Sequence, residues 1–472
     1  MKKLFFVSGL IIHLGVCFHP IQGHTQIANT LTVSDKVFGL SKFWQEVNYN
    51  FAYFNNISRH SWDSAYKALI PEVITTPNDY AYYRLLQKFC ALLKDGHTDI
   101  AMPPIAGVNY MYNTFGNYLL VLKRVAGKVI IKRTFKKDGD RFPLGSEIIS
   151  VNGLPTEQYI RDSIAPYISA STDYVRDDIA SGMLLRGFPG SVFLVKIRKP
   201  DGEETEYSLT HAKATDSIFL PSGNYNDEKN RPLLEHTILD GNIAYVALNS
   251  FSDPKINPLF DNLLPSLEKA NGVIIDLRNN GGGDDGIAFK ILKHFIQDSV
   301  LVGSSSQIRI FDPYLRAIGR YVTLADTVGN ANNRTAWLLY NGYAVFDQPE
   351  TFQSKIDPGI VRINTPIAIL TGSNTESAAE DFLIAADNQK HITTIGEPTG
   401  GSSGMPYRFD LPGGGSARVC VKKDMYADGR KFVGYGIQPK MKVSLTVKDY
   451  LENKDPVLEA ALHYLKNKNK KN

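Results

Sequence analysis

Between Asp35 and Leu93 apolar residues recur at three- and four-residue steps, most clearly at Leu85, Leu86, Phe89, Cys90 and Leu93. That spacing places them on one face of a helix. Trp44, Phe51, Phe54 and Trp62 supply bulk for a core beneath that face. The pattern stops at Lys94-Asp-Gly-His-Thr98, where Gly96 predicts a helix end. From Asn113 to Ala212 the apolar runs are short and separated by turn residues, which predicts strands. Tyr118 to Leu122 and Val129 to Ile131 read as one hairpin. A strand ending at the Asn152-Gly153 turn follows, and Ser191 to Arg198 with Glu204 to Leu209 form a second hairpin. Tyr159 to Leu185 between them reads as partly helical. After Asn242 the period alternates. Ile243 to Leu248 and Val273 to Leu277 predict buried strands, and Leu259 to Ala270 and Ile287 to Phe295 predict helices. This is the pattern of an α/β sheet covered by crossover helices. A long segment from Leu301 to Asp357 interrupts it and is expected to form a lid, a substrate wall or a peripheral subdomain.

The most informative stretch is Thr371-Gly-Ser-Asn-Thr-Glu-Ser-Ala-Ala-Glu-Asp381. The apolar run Pro366 to Leu370 ends at its start, and Ala378 to Ala386 reads as a helix of good helix formers. Ser377 therefore falls at a strand-to-helix turn. A hydroxyl there can cap the helix. It can equally be presented as a nucleophile, with unpaired N–H groups beside it to hold a developing oxyanion.

Composition narrows the classes. The chain has 472 residues, 43% hydrophobic and 21% charged, with a formal net charge of +4, so nothing in it calls for nucleic acid. Lys2-Lys3, the apolar run Leu4 to Cys17 and Ile21-Gln-Gly23 resemble a secretory signal over residues 1–23. The expectation is an exported chain, periplasmic or secreted. Leu14-Gly-Val-Cys17 adds a lipid-anchored alternative through Cys17. No segment has the length and apolarity of an integral membrane span. Cys90 and Cys420 are expected as two buried thiols. No Cys/His cluster has zinc spacing and no Walker or dinucleotide glycine loop occurs, which favours chemistry without metal or cofactor.

Three separated motifs converge on one family. Val273-Ile-Ile-Asp-Leu-Arg-Asn-Asn-Gly-Gly-Gly283 is similar to the Asp-Leu-Arg-x-Asn-x-Gly-Gly signature of the C-terminal processing (tail-specific) serine peptidases and their tricorn-core relatives. Ser377-Ala-Ala-Glu380 resembles their nucleophile box, and Gly396-Glu-Pro-Thr399 and Gly436-Ile-Gln-Pro439 resemble later landmarks in the same order. One version of the family activates its serine with a lysine after Gly-Glu-Pro-Thr-x-Gly. Here that place reads Thr399-Gly-Gly-Ser402. The other version uses a histidine in Asp-Gly-His-Thr, which is Asp95-Gly-His-Thr98 here.

The resemblance implies an N-terminal helical region (24–112) carrying His97, a PDZ-like β module (113–212) and a ClpP/crotonase-like α/β peptidase core (213–465) with the insertion at 301–357. Residues 466–472 read as a disordered Lys/Asn tail. It further implies Ser377 as nucleophile, His97 as general base, and the N–H groups of Gly282 and Ala378 as oxyanion donors. A hydroxyl near neutral pH needs such a base, and imidazole can take and return its proton. The third polar member stays open. Where tricorn-core relatives carry a glutamate this chain has Val433, so Ser402, Thr98 and Glu397 are candidates to orient His97, with Glu380 and Asp381 as further acids. The implied partners are protein or peptide substrates, and no oligomeric state is implied. Two other functions compete: a non-catalytic carrier of peptides or apolar ligands on the same fold, and an esterase using the same serine.

Overall fold

The computed structural model describes residues 27–54, 57–220 and 231–469. The expected signal segment, with Cys17, lies outside the described residues. Three helices, Val33–Asn50, Arg59–Ile74 and Asp79–Ala91, form the N-terminal region. The Thr32 side chain accepts the Asp35 N–H, and Ser58 and Asn78 cap the next two helices in the same way. Their apolar faces meet in one core, where the Trp62 ring stacks on Phe89 with centroids 3.9 Å apart. That core is shared with Phe409, Leu411, Ala417, Val419 and Cys420 from far along the chain. The join is a strand pairing, because Asp99–Ala101 runs antiparallel to Gly415–Cys420 with Asp99 opposite Arg418.

The second region is a five-stranded path, Val121–Val125, Lys128–Arg133, Glu147–Val151, Val192–Arg198 and Glu204–Thr210 in spatial order. Helix Asp173–Gly182 covers it, and Phe115, Leu120, Ile148 and Val195 belong to its separate core.

The third region holds a six-stranded sheet ordered Leu234–Leu239, Ile243–Leu248, Gly272–Asp276, Ile367–Thr371, Ile392–Gly396 and Met441–Lys442. Only its first pair is antiparallel. The two central strands are buried along their whole length, as a parallel sheet covered on both faces requires. The expected helix Leu259 to Ala270 is broken into Ile256–Asp261 and Leu264–Leu267. Pro265 has no N–H to continue the ladder, so the chain restarts its turn there. The insertion is built on a long strand, Val300–Ile310, paired with Glu350–Lys355 and Lys422–Met425, and it carries helices Pro313–Ile318 and Ala331–Tyr340. The tail is ordered further than its composition suggests. Helix Pro456–Asn469 runs through residues 466–469, and Lys466 Nζ lies 2.6 Å from Asp240.

Candidate active site

The strand Ile367–Thr371 delivers a short polar loop to helix Ala378–Ala386, whose nine residues are all buried. Ser377 holds the N-cap position with φ 57° and ψ −126°, a conformation that a non-glycine residue adopts only under restraint. The restraint is visible. Its N–H donates to Ser402 O at 2.9 Å and faces Glu380 Oε2 at 3.2 Å. The helix N–H groups of Glu380 and Asp381 donate to the Ser377 carbonyl rather than to its hydroxyl, and the sharp turn leaves the side chain partly exposed.

His97 follows helix Asp79–Ala91 in a loop tied down on every side. Asp95 Oδ2 accepts the Thr98 hydroxyl at 2.5 Å, and the Gly96 N–H donates to Ser171 Oγ at 3.0 Å. Arg418 donates to Gly96 O at 3.0 Å and pairs with Asp99 at 2.7 Å. The Arg418 contacts come from the strand pairing that joins the first and last regions, and Ser171 adds one from the second. They carry the imidazole across 280 residues of sequence to Ser377, with Nε2 3.3 Å from Oγ. The other ring nitrogen, Nδ1, lies 2.7 Å from Ser402 Oγ. Burial, with the Arg418 and Lys422 charges, pushes the imidazole down to about 4, so it is neutral at physiological pH.

Of the three residues expected to orient the ring, Ser402 alone is hydrogen-bonded to it. The Thr98 hydroxyl donates to Asp95 and accepts the Cys420 N–H, which fastens the loop instead. Glu397 uses its backbone to bind Thr371, and its side chain lines a cleft with Lys123, Arg278 and Asn374 that contains neither Ser377 nor His97. Val433 packs against hydrophobic cores, as its side chain dictates.

Glu380 is fully buried and takes four donors: the Thr399 hydroxyl at 2.5 Å and the N–H groups of Gly401 at 2.9 Å, Ser402 at 2.9 Å and Ser377 at 3.2 Å. Burial raises its carboxyl to about 8, with the Thr399, Ser402 and Gly401 hydrogen bonds pulling the other way. It clamps the Ser377 turn onto the Ser402 loop. The sequence signal for it was its place three residues after the serine, but not its partners. Asp381 lies away from the imidazole, 3.3 Å from Ser403 Oγ, and burial pushes it up to about 7.

The proposed oxyanion donors are placed unequally. Gly282 has φ 92°, and a Cβ there would stand 2.6 Å from Ser377 Cβ, so only glycine permits this approach. Its N–H, however, donates to Asn280 Oδ1 at 2.9 Å. The Ala378 N–H, at the first helical position, has no acceptor within the helix. Both expected thiols, Cys90 and Cys420, are free and buried. Among the described residues no group of His, Cys, Asp and Glu could hold a metal.

Residues 242–443 match the family model described as Peptidase family S41. The chain is 25% identical over 228 residues to carboxy-terminal processing protease CtpA of Bacillus subtilis (strain 168), covering 48% of this chain and 39% of that protein. It is 22% identical over 325 residues to CtpB of the same organism, covering 67% and 53%. It thus spans about half the length of these curated relatives or less. Among solved structures, mature CPAF complexed with lactacystin shares the fold at a TM-score of 0.65, 14% identity and 93% and 98% coverage of the two chains. A putative peptidase from Parabacteroides merdae ATCC 43184 does so at 0.50, 19% identity and 92% and 97% coverage. The likeness to these two solved structures is one of fold.

Proposed function

We propose that this protein is an exported serine endopeptidase that cleaves unfolded or C-terminal protein segments through an acyl-enzyme on Ser377. The observation that carries this reading is the alignment of Ser377 Oγ, both nitrogens of His97 and Ser402 Oγ, at 3.3 and 2.7 Å. With Nδ1–H donated to Ser402, Nε2 is left as the acceptor for the Ser377 proton. It then returns that proton to the leaving amine. The attacked carbonyl oxygen is held first by the Ala378 N–H. Gly282 joins when its N–H leaves Asn280. The β module is read as PDZ-like, since its edge strand Val121–Val125 can pair with an extended tail.

Among the described residues no carboxylate is hydrogen-bonded to the His97 ring, which favours one competing reading, a carrier that binds peptides without cleaving them. A fluorophosphonate separates the two. The endopeptidase takes up one equivalent at Ser377 and the Ser377→Ala variant takes up none. Equal labelling of both, or no labelling of the native protein together with no cleavage of a peptide library, overturns the assignment.

A further inference from the structure

Two carboxylates flank the Ser377 turn, and their surroundings are opposite. Glu380 is saturated by four donors. Glu376, the residue immediately before the serine, receives no hydrogen bond on its carboxylate from any described residue, although its backbone N–H is fixed to Asn280 O at 3.1 Å. Its side chain lies across the bare Cα of Gly400. A Cβ on that glycine would stand 2.4 Å from Glu376 Cγ and 2.5 Å from Oε1. The neighbouring groups are spoken for. The Tyr174 hydroxyl, close enough to feel the charge, donates to Thr399 O. Arg418, the cation that acts on it, directs its donors to Asp99 and Gly96 O. Burial raises the Glu376 carboxyl to about 6, so it is ionised at neutral pH and above.

A half-buried charge without a donor is costly, and an incoming cation removes that cost. We propose that Glu376 recognises the side chain of a lysine or arginine adjacent to the scissile bond of the substrate. This rests on the serine peptidase reading above and adds a specificity determinant to it. An ammonium or guanidinium placed beside Gly400 gives the carboxylate the charge-assisted hydrogen bond it lacks, within one residue of the attacking hydroxyl.

The test uses the full-length protein at about pH 8, above the raised carboxyl value. Peptides blocked at both ends carry lysine, its neutral isostere norleucine, or glutamate at the positions flanking the cleaved bond. The lysine peptide should exceed the norleucine peptide in kcat/KM by about tenfold or more. Glu376→Gln should bring that ratio to near unity, and Glu376→Lys should turn the preference toward glutamate. Because each readout is a ratio within one variant, a general loss of rate cancels. Wild-type cleavage of all three peptides at equal rates overturns the inference, as does a lysine preference that survives Glu376→Gln. Failure of the peptidase reading looks different: no fluorophosphonate adduct and no cleavage of any peptide in the set.

Discussion

His97 Nδ1 lies 2.7 Å from the hydroxyl of Ser402, in the position where a carboxylate orients the base of a Ser-His-Asp triad. A neutral hydroxyl can fix the tautomer and the ring plane, but it stabilises an imidazolium less than an anion does. Ser402→Ala should therefore slow acylation by about 10- to 100-fold, and His97→Ala by about 10³-fold or more. Stopped-flow labelling with a chromogenic ester measures both. Equal rates for Ser402→Ala and wild type would remove Ser402 from the mechanism.

The same arrangement sets the pH dependence. Only the neutral imidazole accepts a proton, and burial with the Arg418 and Lys422 charges holds His97 down to about 4. If His97 is the base, falling pH removes it near 4, well below the usual histidine value. The acid limb of kcat/KM for a small neutral ester should fall there. The His97 ring proton in Ser377→Ala, followed by NMR, should titrate with the same midpoint. A limb and a ring titration both near 6.5 would contradict it.

Gly96 offers a test that leaves every polar group in place. A Cβ at Gly96 would come 2.7 Å from Ser402 Oγ, so Gly96→Ala must push Ser402 away from the imidazole. The expected outcome is a folded protein, unchanged in circular dichroism, whose acylation is slowed at least as much as by Ser402→Ala. Wild-type acylation would mean that Ser402 need not touch the ring.

Glu380 is predicted to act through stability as well as rate. In Glu380→Gln one oxygen is replaced by an amide NH₂ that faces donors, either Thr399 and Gly401 or Ser402 and Ser377. Each donor left buried without an acceptor costs about 1–3 kcal/mol, so above about pH 8, where the Glu380 carboxyl is ionised, unfolding in urea should be easier by about 2 kcal/mol or more. An unchanged midpoint would show that the clamp is dispensable.

How much of this was legible in the sequence follows from how local each feature is. The strand–turn–helix around Ser377 has an unbroken apolar run before it and helix formers after it, so period and composition suffice. Glycines at Gly96 and Gly282 mark close approaches but not what approaches. The Ser377–His97 meeting depends on the pairing of Asp99–Ala101 with Gly415–Cys420, a contact between distant segments that no local pattern encodes. Thr98 and Glu397 were reasonable orienting candidates by position. Their hydrogen bonds, to Asp95 and through the backbone to Thr371, arise from how two loops fold against strands. The helix expected over Leu259 to Ala270 had the right apolar spacing, and Pro265 divides it. Lys466 is ordered because helix Pro456–Asn469 buries Val457, Ala461 and Leu465 against sheet residues far away in sequence, and its ammonium then pairs with Asp240.

The last prediction concerns Gly282. In the unliganded conformation its N–H serves Asn280 Oδ1 at 2.9 Å, while its Cα presses on the Ser377 turn. A tetrahedral adduct on Ser377 places a negative oxygen beside this loop, and an oxyanion is a stronger acceptor than a neutral amide. The Gly282 N–H should then leave Asn280 for the adduct oxygen, with Ala378 as the second donor. A crystal structure of the fluorophosphonate adduct checks this directly: Gly282 N should lie about 2.7–3.1 Å from the phosphonyl oxygen. If Gly282 N remains on Asn280 in the adduct, the oxyanion site is built from Ala378 and some other donor, and Gly282 serves only to let the chain pass close to Ser377.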